Sequence, residues 1–158
     1  MTMRSVVVGV DHRQPDLPRR AAALVQSLGG SLVELVCLWV DETAVTEPTG
    51  FAVSVDPDIV MSDDQYAADV LEGLNRSMAD VGLPWSAVRG AGDPARELAR
   101  VADEVGAAMI VIGARRAGLR GWAQSMVGGT VAGHLIHDQR RPVVVLPEHP
   151  RDDEEESA

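Results

Sequence analysis

The chain has no lysine and only one cysteine. All 14 basic residues among its 158 are arginine, which excludes a P-loop with its phosphate-binding lysine and any Schiff-base chemistry on lysine. Because Cys37 stands alone, neither a disulfide framework nor a multi-cysteine metal site can form within the chain. Cysteine usage therefore favours a reducing, cytoplasmic location.

The sequence also lacks a membrane-spanning run and an excess of positive charge. No apolar stretch approaches the roughly 20 residues that span a bilayer, and the first residues run straight into a strand pattern without a signal-peptide cleavage site. The net charge is −10, whereas nucleic-acid backbones attract basic surfaces. We expect a protein that binds neither membranes nor nucleic acids.

Length and composition indicate one globular domain, expected over residues 1–148. Hydrophobic residues make up 46% of the chain and charged residues 24%, as in ordinary soluble domains. Residues 149–158 carry the acidic run DDEEE, which supplies about half of the excess negative charge. Such a run is typical of a disordered, solvated tail, with specific docking as the alternative.

Apolar runs and helical patterns alternate along the chain. The predicted strands cover residues 5–10, 31–39, 85–89, 107–112 and 142–146, and the predicted helices cover 16–28, 62–82, 93–105 and a segment that begins at 129–131. Residues 41–61 have no helical period and are expected to form a mobile surface excursion. Strict alternation predicts an α/β fold with a five-stranded parallel sheet and helices on both faces.

Helix starts are marked by side chains that cap free N–H groups. Asp16 with Pro18 and Asp93 with Pro94 combine an N-cap with an early proline, and Ser62 with Gln65 forms a capping box. The second helix is expected to bury one face, formed by Tyr66, Val70, Leu71, Leu74 and Met78.

Ligands of open parallel sheets bind at the carboxyl ends of the strands, where the winding reverses. Asp11 follows the first strand, where its carboxylate can bind ribose hydroxyls or cap the next turn. Gly128, Gly129 and Thr130 precede the last helix, where glycines admit phosphate oxygens and the threonine hydroxyl binds phosphate or caps its own helix. Nearby arginines, Arg115, Arg116 and Arg120, can neutralise phosphate or remain solvated.

A dedicated catalytic group is not indicated. The chain shows no nucleophile elbow, no Ser/His/Asp order and no paired-carboxylate spacing. His134 and His137 can share a helix face, but a metal site needs further ligands and none is identified by spacing. Trp122 and Met126 are consistent either with a lid or with a partner contact.

Three segments together resemble the universal stress protein family: VVVGVD at 6–11, GDPARELARVADEVGAAMIVIGARR at 92–116 and GGTVAGHLIHDQRRPVVVLP at 128–147. The resemblance implies an open α/β/α sandwich of the adenine nucleotide alpha hydrolase type and a cytoplasmic stress-response regulator. It also implies a homodimer that pairs the last strand, Val143–Leu146. The implied ligand is an adenine nucleotide, ATP first with AMP or cAMP as alternatives and Mg²⁺ accompanying ATP, with at most slow hydrolysis.

The family's ATP-binding branch carries a loop of Gly, two residues, Gly, nine residues, Gly and then Ser or Thr. By resemblance, Gly113 matches the first glycine, Gly129 the third, Thr130 the hydroxyl, Val131 the next residue, Asp11 the ribose-binding carboxylate and Val40 the apolar contact near adenine. The remaining candidate nucleotide-binding residues are Gly9, Ile112, Arg115, Arg116 and Gly128.

The loop departs from that pattern at its second glycine. Arg116 stands there, and 12 residues separate it from Gly129; the pair Gly118 and Gly121 leaves only seven. The alternative function is therefore a dimeric interaction protein of the same family that binds no nucleotide. A relative of ATP pyrophosphatases is disfavoured, because Asp11-His12-Arg13 replaces the Ser-Gly-Gly loop that such enzymes need.

Overall fold

The computed structural model describes residues 2–11, 14–41, 44–46, 52–54, 63–114 and 131–147. Within them the elements in chain order are β1 Arg4–Val10, α1 Leu17–Ser27, β2 Val33–Asp41, β3 Ala44–Thr46, β4 Ala52–Ser54, α2 Asp63–Met78, β5 Trp85–Ala91, α3 Pro94–Glu104, β6 Met109–Gly113, α4 Val131–Asp138 and β7 Val143–Leu146. None of the helices in the described ranges has the length and apolar character needed to cross a bilayer.

Five strands form one parallel sheet in the order β5-β2-β1-β6-β7. The chain leaves β1 on one side, through β2 to β5, and then crosses to the other side of β1 for β6 and β7. Val8 of β1 is in register with Cys37 of β2 and with Val111 of β6. The winding therefore reverses between β1 and β6, as predicted for a five-stranded parallel α/β fold.

The two faces of the sheet bury separate apolar layers. Val7, Leu38 and Ile110 pack against α3 together with Leu135 of α4. The alternate residues of the same strands, among them Val8, pack on the opposite face against α1. A strand that is covered on both faces is nearly continuous in apolar residues, as in residues 6–8 of β1 and 35–40 of β2.

Residues 41–61, which are predicted to have no helical period and to form a surface excursion, contain two short strands that the sequence does not predict. β3 and β4 lie in this segment and pair with each other in an antiparallel two-stranded sheet, with Val45 opposite Val53. Three-residue strands are too short to show a period of two in the sequence, and antiparallel strands need no crossover helix between them. The strict alternation of strands and helices is interrupted there.

The helix caps and apolar faces agree with those predicted from the sequence, except for the cap at Asp16 and part of the apolar face of α2. Asp93 accepts a hydrogen bond from the N–H of Arg96 (2.9 Å), as an N-cap does. Asp16 precedes α1 but makes no side-chain capping bond to that helix. Ser62 lies outside the described residues, although α2 begins at Asp63 as that cap requires.

In α2, the expected apolar face is only partly buried. Leu74 and Met78 are buried, whereas Leu71 is 45% exposed. The stripe that packs on β2 consists of Ala67, Val70 and Leu74, and Leu71 is not part of it. The side chain of Tyr66 falls outside the described part.

Candidate functional site

A crevice opens at the carboxyl ends of β1, β2 and β6, at the reversal of the winding. Its enclosed volume is about 10 Å³, and about 260 Å³ when the open mouth is counted. It is lined by Gly9, Val10, Leu38, Val40, Pro94, Leu98 and Ile112. The lining is apolar, and its place in the sheet is where open α/β proteins bind their ligands.

Gly9 forms part of the crevice wall because it has no side chain. A Cβ atom there would lie 3.4 Å from Cγ2 of Ile112 and 3.5 Å from Cδ2 of Leu98. Those are ordinary contact distances, so a methyl group would fit but would occupy space that glycine leaves to the crevice. The residue type at this position sets how much room a flat ligand finds between β1 and α3.

Asp11 comes directly after the lining residue Val10, at the carboxyl end of β1. Asp11 is 6% exposed, and its main-chain oxygen accepts a hydrogen bond from the backbone N–H of Gln14 (2.9 Å). The turn after β1 is thus closed by the backbone of Asp11. A carboxylate that follows β1 can accept hydrogen bonds from a sugar.

Gln14 reaches from that turn to the end of β6. A Cβ atom on Gly113 would overlap Oε1 of Gln14 and lie 2.9 Å from its Cδ, so the carboxamide occupies the space beside Gly113. Gln14 is 6% exposed, and neither its Oε1 nor its Nε2 has a hydrogen-bond partner among the described residues. Leaving a buried polar group without a hydrogen-bond partner costs about 1–3 kcal/mol. The carboxamide of Gln14 is such an unsatisfied group at the edge of the sheet.

The end of β2 is held beside the crevice by charge. Nη2 of Arg89 lies 3.5 Å from Oδ2 of Asp41, and the guanidinium lies 5.2 Å from the centre of the Trp39 ring. These contacts tie β5 to β2 next to Val40. They stabilise the wall of the crevice on the side away from β6.

Thiol and metal chemistry find no support in the described ranges. Cys37 is fully buried, and burial raises its pKa to about 12, so the thiolate that acts as a nucleophile does not form near neutral pH. No group of three or more potential metal ligands occurs within these ranges. His134 and His137 are both exposed on α4.

The structure brings part of the sequence-predicted site together. Three of the predicted residues, Gly9, Val40 and Ile112, line the crevice. Two others, Asp11 and Gly113, come directly after lining residues in the chain. Val131, the first residue of α4, is half-buried and packs against the core layer formed with α3. The candidates outside the described residues are Arg115, Arg116, Gly128, Gly129 and Thr130.

Sequence reasoning missed five residues of this region: Val10, Gln14, Leu38, Pro94 and Leu98. Leu38 and Leu98 carry the pattern of core residues, and Pro94 carries that of a helix start, so nothing in the sequence marks them as facing a ligand. Gln14 stands in a turn without a motif. Only the packing of α3 and the β1–α1 turn against the sheet reveals these positions.

Comparison with known proteins gives a consistent result. The sequence profile of the Universal stress protein family matches residues 2–147. Similar solved structures include a universal stress protein in complex with cAMP (20% identity, 93% of this chain and 98% of that chain covered, TM-score 0.62). Another is the universal stress protein from Archaeoglobus fulgidus in complex with dAMP (21%, 92% and 98%, TM-score 0.60).

A third similar structure is a protein of the universal stress protein family from Burkholderia pseudomallei (22% identity, 92% and 97% covered, TM-score 0.62). At these identities the likeness establishes the fold. Among curated proteins, no relative matches the chain.

Proposed function

Because this chain belongs to the universal stress protein family, we propose that it binds an adenine nucleotide, ATP first, in the crevice at the carboxyl ends of β1, β2 and β6. The observation that carries the proposal is the apolar crevice at the reversal of the winding, next to the end of β1 where the buried residue Asp11 follows the lining residue Val10. Two structures of similar fold are complexes with cAMP and dAMP, which supports the same class of ligand here.

Each part of the nucleotide has a proposed partner. The adenine lies against the apolar lining beside Val40 and Ile112, with Gly9 leaving room for its flat face, and Asp11 accepts hydrogen bonds from the ribose hydroxyls. On the resemblance of the sequence, the phosphates are bound by the backbone at Gly113, Gly128 and Gly129, by the Thr130 hydroxyl and by Arg115 and Arg116. Val131 follows them at the start of α4.

In this proposal the protein is a regulator, with at most slow hydrolysis of ATP. Its apolar crevice supplies binding and orientation, and any Mg²⁺ accompanies the phosphates of ATP. Binding of a ligand to the folded state alone raises its stability in proportion to the logarithm of ligand concentration. The ratio of nucleotide-bound to nucleotide-free protein in the cytoplasm therefore depends on the nucleotide concentration.

The proposed assembly is a homodimer through β7. Within the described ranges β7 pairs only with β6, at the border of the sheet, and its sequence is VVVL. An exposed apolar strand edge invites pairing with another chain. A second copy placed across a two-fold axis satisfies that edge.

Calorimetric titration with ATP, AMP and cAMP tests the proposed ligand. We expect heat of binding for at least one of them, and a roughly 10- to 100-fold weaker affinity in Asp11→Ala, because hydrogen bonds to charged groups contribute about 1.5–3 kcal/mol. Asp16→Ala is the control: this carboxylate precedes α1 and makes no capping bond to it, so its affinity should equal that of the parent protein.

Absence of binding heat for all three nucleotides at millimolar concentration would refute the proposal. That outcome would favour the alternative, a dimeric interaction protein of the family that does not bind nucleotide.

A further inference from the structure

A second cavity lies at the amino ends of β1, β2 and β6, at the end of the sheet opposite the crevice. Its volume is about 470 Å³, which is in the range of sites that bind small molecules. Its floor includes the buried side chains of Val6, Val25 and Val33. These belong to the apolar layer that packs against α1, whereas the crevice lies on the face covered by α3. The two sites are therefore separate.

The turn between α1 and β2 forms one wall of this cavity. Both Gly29 and Gly30 line it, and Gly29 has a φ of 77°, which glycine adopts without steric cost. A Cβ atom on Gly30 would lie 2.7 Å from Cγ1 of Val25, so glycine allows the turn to pack closely on the last turn of α1. Since α1 ends at Ser27, the first residues of β1 and β6 border open space beyond the helix.

Apolar side chains at the cavity remain accessible to water. Leu28 is 69% exposed and Leu32 is 46% exposed, and both are among the lining residues. Met109, at the start of β6, adds a half-buried and adaptable side chain. Apolar surface that is exposed around a concave site is typical of a ligand-binding groove. The lining thus favours a ligand with a hydrocarbon part.

A positive charge stands at the mouth of the cavity. Of the described residues that line it, only Arg4 is charged. Arg4 is exposed and comes two residues before Val6 in β1, so both side chains lie on the same face of the sheet. Its guanidinium forms no ion pair within the described ranges. The planar guanidinium matches the two oxygens of a carboxylate, so a single carboxylate would complement the charge of this site.

We propose that this cavity binds a small carboxylic acid with an apolar tail, of the class of medium-chain fatty acids. The carboxylate pairs with Arg4, and the tail lies over the valine floor against Leu28 and Met109. This site goes beyond the proposed nucleotide binding and does not depend on it, because it occupies the opposite end and the opposite face of the sheet.

Titration with decanoate and octanoate below their micellar concentrations tests the apolar part of the site. We expect decanoate to bind, and octanoate to bind about 10- to 15-fold more weakly, because each methylene group removed from water changes the affinity about 4-fold. Ala108 is exposed and lines the cavity, so Ala108→Phe should fill it and weaken decanoate at least 10-fold. Saturation with ATP should leave the affinity for decanoate unchanged.

The charge is tested with Arg4→Gln, using decanol as the uncharged ligand. We expect the variant to bind decanoate about 5-fold more weakly, as expected for an exposed ion pair, and to bind decanol within 2-fold of the parent protein. Arg76→Gln, which removes an arginine with a 75% exposed side chain from α2, is the matched control and should change neither affinity. Circular dichroism checks that each variant folds.

The inference is overturned if decanoate does not bind at millimolar concentration, or if it binds the parent protein, Arg4→Gln and Ala108→Phe equally, since the ligand then occupies another surface. Competition between ATP and decanoate would place the fatty acid in the crevice and also overturn it. Equal losses of decanoate and decanol in Arg4→Gln would show that the arginine does not recognise the carboxylate. A protein that binds decanoate but no nucleotide would refute the proposed function and leave this inference standing.

Discussion

Gly113 is small because a neighbouring side chain fills the space beside it. Its backbone does not lie in the left-handed region, unlike that of Gly29, Gly92 and Gly106, so an alanine could adopt the same conformation. The obstacle to a side chain is the Gln14 carboxamide, whose Oε1 a Cβ atom would overlap. The sequence resemblance marks Gly113 as a loop glycine, and the tertiary contact adds a second, steric reason for its identity.

Gly113→Ala should therefore destabilise the protein in one background and stabilise it in another. With Gln14 present, we expect a loss of about 1–2 kcal/mol in the free energy of unfolding, from overpacking of a filled space. In Gln14→Ala the same change should instead add about 0.4–1 kcal/mol, since alanine restricts the unfolded chain. Urea unfolding of the four proteins in this cycle gives the coupling.

Gly73→Ala is the control for that cycle. Gly73 lies in α2, and a Cβ atom added to it would meet no atom of the described residues within 4 Å, so alanine should stabilise by about 0.5–1 kcal/mol in either background. An unchanged effect of Gly113→Ala in both backgrounds would show that Gln14 is not what excludes a side chain there.

Among the secondary-structure elements, α3 connects the core to the crevice. Leu98 contributes to both, since it is buried in the layer against the sheet and lines the crevice. The outer face of α3 carries an ion-pair cluster in which Arg100 contacts Glu97 (2.8 Å) and Glu104 (2.5 Å). The position of its first turn, at Pro94, fixes one wall of the crevice.

Removing the cap of α3 should cost measurable stability. Asp93→Ala deletes the bond to the Arg96 N–H, and we expect a loss of about 1 kcal/mol in the free energy of unfolding. Asp16→Ala, at the corresponding place before α1, deletes no capping bond and should cost less than about 0.5 kcal/mol. Chemical denaturation of both variants checks the difference, and equal losses would contradict a specific capping role for Asp93.

The sequence anticipates elements unevenly, for physical reasons that differ between segments. β1 and β2 are predicted because burial on both faces favours apolar runs such as residues 6–8 and 35–40. The cap at Asp93 is predicted because it depends only on local geometry. β3 and β4 are missed because strands of three residues derive their structure from each other. The exposure of Leu71 is missed because the side of α2 that faces the sheet is set by tertiary packing.

The assembled sheet has an apolar border at β7. The N–H of Ile110 donates to the oxygen of Pro142 (3.0 Å), and that of Ala114 donates to Leu146 (2.8 Å). In a parallel ladder this alternation turns the main-chain groups of Val144 toward β6 and those of Val143 and Val145 outward. β7 thus presents outward-facing main-chain groups along the border that lies away from β6.

Val145→Pro should convert the proposed dimer to a monomer while keeping the fold. The substitution removes an outward N–H and leaves the bonds to β6 intact, and proline is tolerated on edge strands. Light scattering coupled to gel filtration should give twice the chain mass for the parent protein and the chain mass for the variant. Circular dichroism should be unchanged.

Val144→Pro is the comparison, because it breaks the pairing with β6 and should lower the melting temperature. A parent protein that runs as a monomer refutes the dimer. A Val145→Pro variant that remains dimeric places the interface elsewhere.

The family, the five-stranded parallel sheet and three residues of the crevice, Gly9, Val40 and Ile112, all follow from the order of amino acids alone. The sheet follows because hydrophobic periodicity, caps and strand ends are local properties of the chain. The family, and Val40 as a site residue, follow from the resemblance of three sequence segments to that family. Two further facts depend on the folded arrangement: Pro94 and Leu98 form a wall of the crevice, and the Gln14 carboxamide lies unsatisfied against Gly113. Both contacts form between segments that are far apart in sequence, and no local sequence pattern predicts such contacts.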